Sequence, residues 1–77
     1  MFKVLDPVVL THDLPEVDLR RGDLGAIVDV SGPNTFEVEF VAASGRTQAP
    51  ITLSPIDIRN IRDQDLIAVR TLEPATG

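Results

Sequence analysis

The clearest pattern in this chain is a strict alternation of apolar and polar side chains in the stretch TFEVEFV. Phe36, Val38 and Phe40 share one face of the alternation, while Glu37 and Glu39 share the other. A period of two is typical of a β-strand with one buried face. The pattern therefore predicts a strand whose two phenylalanines point into a core.

A second strand is predicted just before it, in RGDLGAIVDV (residues 21–30). Gly22 and Gly25 indicate positions with positive φ or with close approach of another chain segment. Beyond them, alternation separates Ile27 from the larger set Ala26, Val28 and Val30 and predicts that Ile27 faces outward. The turn formers SGPN (residues 31–34) predict a hairpin between the two strands.

The start of the chain predicts one short strand and a long loop. Pro7 has no N–H to donate and marks a sheet edge or the beginning of a strand, so the first strand is predicted at residues 8–10. The next stretch, THDLPEVDLR (residues 11–20), mixes turn formers with the acids Asp13, Glu16 and Asp18 and has no regular period. We expect a long loop whose leucines fold back over the end of the barrel.

The second half of the chain is predicted to return along the sheet. The stretch AASG (residues 42–45) predicts a hairpin turn, and RTQAPITL (residues 46–53) predicts the returning strand. Serine, proline and an acid at residues 54–57 are typical of a one-turn helix. Its neighbouring isoleucines would plug the barrel: Ile56, Ile58 and Ile61.

The end of the chain predicts a last strand in LIAVRTL (residues 66–72) and a flexible tail at residues 73–77. The whole is an all-β fold: a small SH3-like barrel of five to six short strands, with a one-turn helix before the last barrel strand. Residues 1–72 are predicted to form this single domain. At 77 residues the chain lies near the lower size limit for a core that holds without disulfides or metal.

Composition narrows the classes of function. Twelve acidic and seven basic residues give a net charge of −5, which repels phosphate backbones and disfavours nucleic acid. The chain has no cysteine, so disulfides and thiolate metal sites are excluded, and a reducing cytoplasm fits. With no basic leader and no apolar stretch approaching 20 residues, we expect a soluble cytoplasmic protein without a membrane anchor.

Candidate chemistry is sparse. His12 is the only histidine, and with Asp13, Glu16 and Asp18 it offers metal ligands, but their spacing matches no known ligand pattern. A solvated acidic loop is the favoured interpretation. Glu37 and Glu39 are best explained as the solvent face of a strand. We therefore expect no catalytic residue, no metal site and no cofactor.

Apolar residues on outward faces point instead to a protein partner. Alternation assigns Ile27, Val41 and Val9 to outward faces. Residues 66–69 are also apolar, and they follow the strands that a minimal barrel needs. These residues either lie under the first loop and the tail or form a contact patch, helped by the open strand edges of a small barrel. The predicted partner-binding residues are Asp13, Glu16, Asp18, Ile27, Val41, Leu66 and Ile67. A homo-oligomer assembled through residues 66–72 is an alternative.

Several blocks in order carry a family resemblance: LDPVVLTHDLPE, LRRGDLGAIVDV, FEVEFV, ITLSPIDIR and DLIAVR. The chain resembles the small bacterial family called domain of unknown function 4926. The resemblance implies an SH3-like barrel without an assigned activity, and it suggests an antitoxin- or immunity-like partner of a neighbouring gene product. The GDxGxxV core (residues 22–28) is also similar to the KOW motif of ribosomal and transcription proteins, which gives an RNA- or ribosome-associated module as the alternative function.

Overall fold

The chain forms one open antiparallel sheet. The computed structural model describes residues 2–41 and 50–71. Its strands are β1 (Pro7–Leu10), β2 (Leu24–Gly32), β3 (Thr35–Glu39), β4 (Ile51–Leu53) and β5 (Ile58–Asn60), hydrogen-bonded in the order β4-β3-β2-β1-β5. Within this part of the chain the one helix is a short 3-10 helix, and β4 and β5 do not pair with each other. The all-β prediction is confirmed, whereas closure into a barrel is not seen.

The core collects the apolar side chains of all five strands and one loop leucine. Phe36 and Phe40 are both buried in it, which confirms the prediction from the alternating stretch. Glu37 lies on the opposite face, where the Thr52 hydroxyl donates to its carboxylate and lies 3.0 and 2.9 Å from the two oxygens. The core residues are Val8, Leu10, Leu19, Ile27, Phe36, Val38, Phe40, Leu53 and Ile58.

The prediction that Ile27 faces outward is wrong. Ile27 pairs directly with Val38 and is completely buried. The register of β2 against β3 shifts between Ile27 and Asp29, which leaves Val28 as an extra residue in β2. Such a bulge changes which positions face the core. The set of alternate apolar residues Ala26, Val28 and Val30 therefore indicated the wrong face for Ile27.

Gly22, just before β2, and Gly25, inside it, confirm the two reasons expected for these glycines. Gly22 has a φ of +93°, in the left-handed region that side chains disfavour. Gly25 allows a close approach, because a Cβ at this position would lie 2.8 Å from Cε2 of Phe40 and 2.9 Å from the carbonyl oxygen of Glu39. The Phe40 ring edge therefore packs directly on the backbone of β2.

Residues 11–23, which we call the first loop, connect β1 to β2 and contain the 3-10 helix Pro15–Val17. Leu19 is buried in the core, and the partly buried Leu14 packs against the core. The two leucines also bond to each other through their main chains at 2.8 and 3.1 Å. The loop was predicted to fold its leucines back over the end of the barrel; both leucines do pack on the core, although the barrel itself is not confirmed.

The predicted one-turn helix is a hydrogen-bonded turn instead. The N–H of Asp57 donates to the carbonyl of Ser54 at 2.9 Å, and the Asp57 carboxylate accepts from the Ser54 N–H and hydroxyl. The turn feeds directly into β5, so that Ile58 pairs with Leu10 and is buried. Ile56 is 79% exposed and does not plug the core.

The predicted last strand is also wrong for the part that the structure describes. Residues 66–71 pair with no strand among the described residues. Leu72, the predicted tail at residues 73–77, the turn at residues 42–45 and the first part of the returning strand lie outside the described residues. No helix in the described part of the chain has the length and apolar character to cross a bilayer.

Candidate functional site

Residues 65–70 (DLIAVR), which we call the C-terminal ribbon, lie next to the outer side of the sheet at β1. Val9, on β1, lies between its partners Leu24 on β2 and Arg59 on β5. Val9 is buried, yet it stands outside the core cluster, because it points away from Val8 and Leu10. A groove of about 100 Å³ separates this surface from the ribbon residues 65–68. Val9 therefore faces outward as predicted, and it is buried next to ribbon residues 65–68.

One end of the ribbon is fixed to β5 by an ion pair. Asp65 accepts two hydrogen bonds from the Arg59 guanidinium, at 2.8 and 2.9 Å, and a third from the N–H of Arg62 at 2.7 Å. The Arg59 bonds and then the Arg62 bond lower the pKa of Asp65 to about 2. The carboxylate therefore stays charged until the pH falls toward 2.

The other end of the ribbon is fixed to the first loop. Arg70 donates to both carboxylate oxygens of Asp23, at 2.9 and 2.6 Å, and to the carbonyl of Asp18 at 2.9 Å. Asp23 also accepts the N–H of Arg20 at 2.8 Å. Partial burial acts to raise the pKa of Asp23, but the bonds from Arg70 and Arg20 outweigh it, and the pKa is lowered.

Between these two ion pairs the ribbon presents apolar side chains to solvent. Leu66 is 92% exposed, Ile67 64% and Val69 97%. Within the described residues, no main-chain group of residues 66–70 bonds to another main-chain group. The ribbon thus combines exposed apolar side chains with main-chain donors and acceptors that have no main-chain partner among the described residues, as an edge strand does.

The predicted acidic residues lie next to one end of this ribbon. Asp18 contributes its carbonyl to Arg70, and the Asp13 carboxylate accepts the N–H of Arg21 at 2.8 Å. The charges of Asp18 and Asp13 both act on Arg70 and favour its charged form. Glu16 is exposed in the 3-10 helix. The structure therefore brings the acidic loop and the apolar ribbon together at Arg70.

The remaining predicted partner-binding residues are not part of this surface. Ile27 is buried in the core, so it is removed from the candidate site. Val41 is 55% exposed and follows β3, and it does not line the groove beneath the ribbon. Of the predicted set, Leu66 and Ile67 lie on the ribbon itself.

A second polar cluster joins the first loop to the turn before β5. His12 Nε2 lies 2.6 Å from Oδ1 of Asp57, and Nδ1 lies 3.0 Å from the carbonyl oxygen of Asp13. The Asp57 bond and then the Asp13 bond raise the pKa of His12. Thr11 adds two bonds to the same turn, from its N–H to Asp57 and from its hydroxyl to Ile56. Sequence reasoning missed this cluster because 45 positions separate its halves and no motif links them.

The geometry also bears on possible metal ligands and on the serine hydroxyls. Among residues 2–41 and 50–71, no group of three or more acidic or histidine side chains converges as metal ligands would. The hydroxyls of Ser54 and Ser31 are bonded to nearby carboxylates at 3.1 and 3.3 Å. These hydroxyls serve the local turn and hairpin.

The fold and the site define a small all-β domain with an ion-paired apolar ribbon next to the outer side of β1. The chain belongs to the family described as Domain of unknown function (DUF4926), whose model matches residues 4–60. No match to the chain is found among curated proteins or among solved structures. The matched range ends with β5, so the ribbon lies beyond it.

Proposed function

We propose that this protein is a non-enzymatic interaction module that binds another protein along the C-terminal ribbon. The observation that carries the proposal is the near-complete exposure of Leu66 and Val69 in a segment whose two ends are held by ion pairs. An apolar segment that only needed to complete the fold would turn these side chains inward.

The geometry favours addition of a strand from the partner. The N–H and C=O groups of residues 66–70, which bond to no other main-chain group in the described part of the chain, can form a ladder with an extended segment, and the apolar side chains give it a surface to pack on. Because Asp65 and Arg70 are already fixed, less conformational entropy is lost when the partner binds. The acids at the Arg70 end favour a partner that carries basic side chains there.

We further propose that the sheet is an open SH3-like barrel that does not bind proline-rich peptides, the usual ligands of SH3 domains. Grooves that bind proline-rich helices are lined by aromatic side chains. This chain has no tyrosine or tryptophan, and Phe36 and Phe40 are buried. Phe2 packs edge-on against Phe36, with ring centroids 5.4 Å apart. The proposed contact surface is therefore the ribbon and not an aromatic groove.

The partner we propose is the product of a neighbouring gene, bound in a cytoplasmic antitoxin- or immunity-like complex. Support for this comes from the family resemblance. A KOW-like role on RNA is the competing proposal, and it rests on the GDxGxxV core at residues 22–28. Two arginines near the groove, Arg59 and Arg70, are bound to carboxylates, which leaves less positive charge for phosphates.

Co-expression with the adjacent gene product, followed by size-exclusion chromatography, tests the proposal. We expect one co-eluting peak that Leu66→Asp or Val69→Asp abolishes. Ile56→Asp is the matched control, because Ile56 is a comparably exposed apolar residue outside the ribbon. Two proteins that always elute apart would contradict the neighbouring-gene partner. A complex that all three variants weaken equally would contradict the ribbon, and salt-sensitive retention on RNA would favour the KOW-like role.

A further inference from the structure

We propose that His12 and Asp57 form a pH-dependent latch, which fixes the start of the first loop to the turn before β5 and opens when the imidazole loses a proton. The proposal concerns a different part of the molecule from the ribbon and does not depend on the proposed function. It rests on the positions of the two ring nitrogens.

Both nitrogens of His12 face groups that only accept hydrogen bonds. Nδ1 lies 3.0 Å from the main-chain carbonyl oxygen of Asp13, and Nε2 lies 2.6 Å from the Asp57 carboxylate. A neutral imidazole has one N–H and one lone pair, so it can satisfy only one of these acceptors. The imidazolium ion donates from both nitrogens. The observed geometry is therefore that of the doubly protonated ring.

The carboxylate on the other side of the latch is held in its charged form. Its Oδ1 receives the His12 bond, and its Oδ2 receives the N–H and the hydroxyl of Ser54 at 2.9 and 3.1 Å. The His12 bond and then the Ser54 N–H bond lower the pKa of Asp57. Asp57 thus cannot supply the missing proton when His12 becomes neutral, and one of the two imidazole contacts must break.

Opening of the latch is confined to the start of the first loop. The N–H of Thr11 donates to the carbonyl of Asp57 at 2.9 Å, and the Thr11 hydroxyl donates to the carbonyl of Ile56 at 2.7 Å. Neither bond depends on pH in this range. The segment that is released therefore begins at His12, and it leads into the acidic part of the loop.

The charged groups around the ring all favour its protonated form. Asp57 acts from the turn and Asp13 from the loop, and the His12 side chain is half exposed, so protons reach it from solvent. The pKa of His12 is raised above its ordinary value of 6.5 in the folded protein. The latch is consequently closed below pH 6.5 and opens as the pH rises through the folded pKa.

An NMR titration of the His12 ring tests the proposal directly, because it is the only histidine in the chain. We expect a midpoint above 6.5 in the native protein and a clear fall in Asp57→Asn, whose amide can still accept the Ser54 bonds. Asp13→Asn keeps the main-chain carbonyl and is the matched control, with a smaller fall expected. A native midpoint at or below 6.5, or equal midpoints in the native protein and Asp57→Asn, would overturn the latch.

The pH dependence of the unfolding midpoint provides a second test of the latch. The difference in unfolding midpoint between the native protein and His12→Gln should be largest below pH 6.5 and should shrink as the pH rises through the folded pKa. A difference that stays constant with pH would overturn the proposal. Neither experiment involves a binding partner, so failure here leaves the ribbon proposal standing, and the reverse also holds.

Discussion

Replacement of Gly25 by alanine tests the tightest packing in the molecule. The added Cβ would lie 2.8 Å from Cε2 and 2.9 Å from Cδ2 of Phe40, and 2.9 Å from the carbonyl oxygen of Glu39. The φ of Gly25 lies outside the left-handed region, so the alanine backbone itself is acceptable. The effect of the change is therefore purely steric.

The expected loss in the free energy of unfolding follows from the atoms that must move to admit the added Cβ. Ordinary van der Waals contact begins near 3.4 Å, so the Phe40 ring and the β3 backbone must each retreat by roughly 0.5 Å. The ring is buried and the carbonyl is held in the sheet, so neither can shift without disturbing the core. Overpacking of this kind costs about 1–3 kcal/mol, against a total stability of roughly 4–12 kcal/mol for a domain of this length.

Urea unfolding followed by far-ultraviolet circular dichroism measures the change, since the chain has no tryptophan or tyrosine for fluorescence. Gly32→Ala is the matched control, because the nearest atom to its added Cβ is 3.6 Å away. We expect the control to be unchanged or more stable by up to about 1 kcal/mol. Equal free energies of unfolding for the two variants would refute the close contact between Gly25 and Phe40.

Three substitutions and one pH titration probe the core and the ion pairs. Phe40→Ala should lower the free energy of unfolding by about 3–5 kcal/mol, whereas Glu37→Ala should lower it by less than about 1 kcal/mol; equal losses would contradict the assignment of inner and outer faces. Asp23→Asn should cost about 1 kcal/mol, because an amide cannot form the charged pair with Arg70, and a difference that added salt does not reduce would argue against that pair. The lowered pKa of Asp65 predicts that its ion pair is intact above pH 3.8 and is lost as the pH falls toward 2; a carboxyl NMR titration with a midpoint near 3.8 would exclude this.

Local pattern was enough to predict most of the fold. Where one face of a strand is clearly more apolar, as with Phe36 and Phe40, alternation gave the correct orientation. In β2 the larger apolar set, Ala26, Val28 and Val30, indicated the face opposite to Ile27, although Ile27 lies in the core, so the number of apolar residues did not give the orientation. The bulge at Val28 decided it, and a bulge depends on pairing with β3, which a single segment does not reveal.

The site was harder to predict because its contacts join distant parts of the chain. The apolar stretch of residues 66–69 was identified, but as a strand. Its conformation depends on Arg59 and Asp23, and the latter is 47 positions away from Arg70. Ion pairs at such separation leave no periodic signal in the sequence, and neither does the bond between His12 and Asp57.

The residues that hold the ribbon in place differ from those that we propose to bind a partner. Its charged ends, Asp65 and Arg70, make the contacts that hold it on the sheet, while Leu66 and Val69 contribute little buried area. Leu66→Asp and Val69→Asp should therefore change the free energy of unfolding by no more than about 0.5 kcal/mol, as is usual at exposed positions. If the same variants abolish binding, the loss cannot be explained by unfolding. If instead they unfold the domain, Leu66 and Val69 serve the fold, and the ribbon proposal fails whatever the chromatography shows.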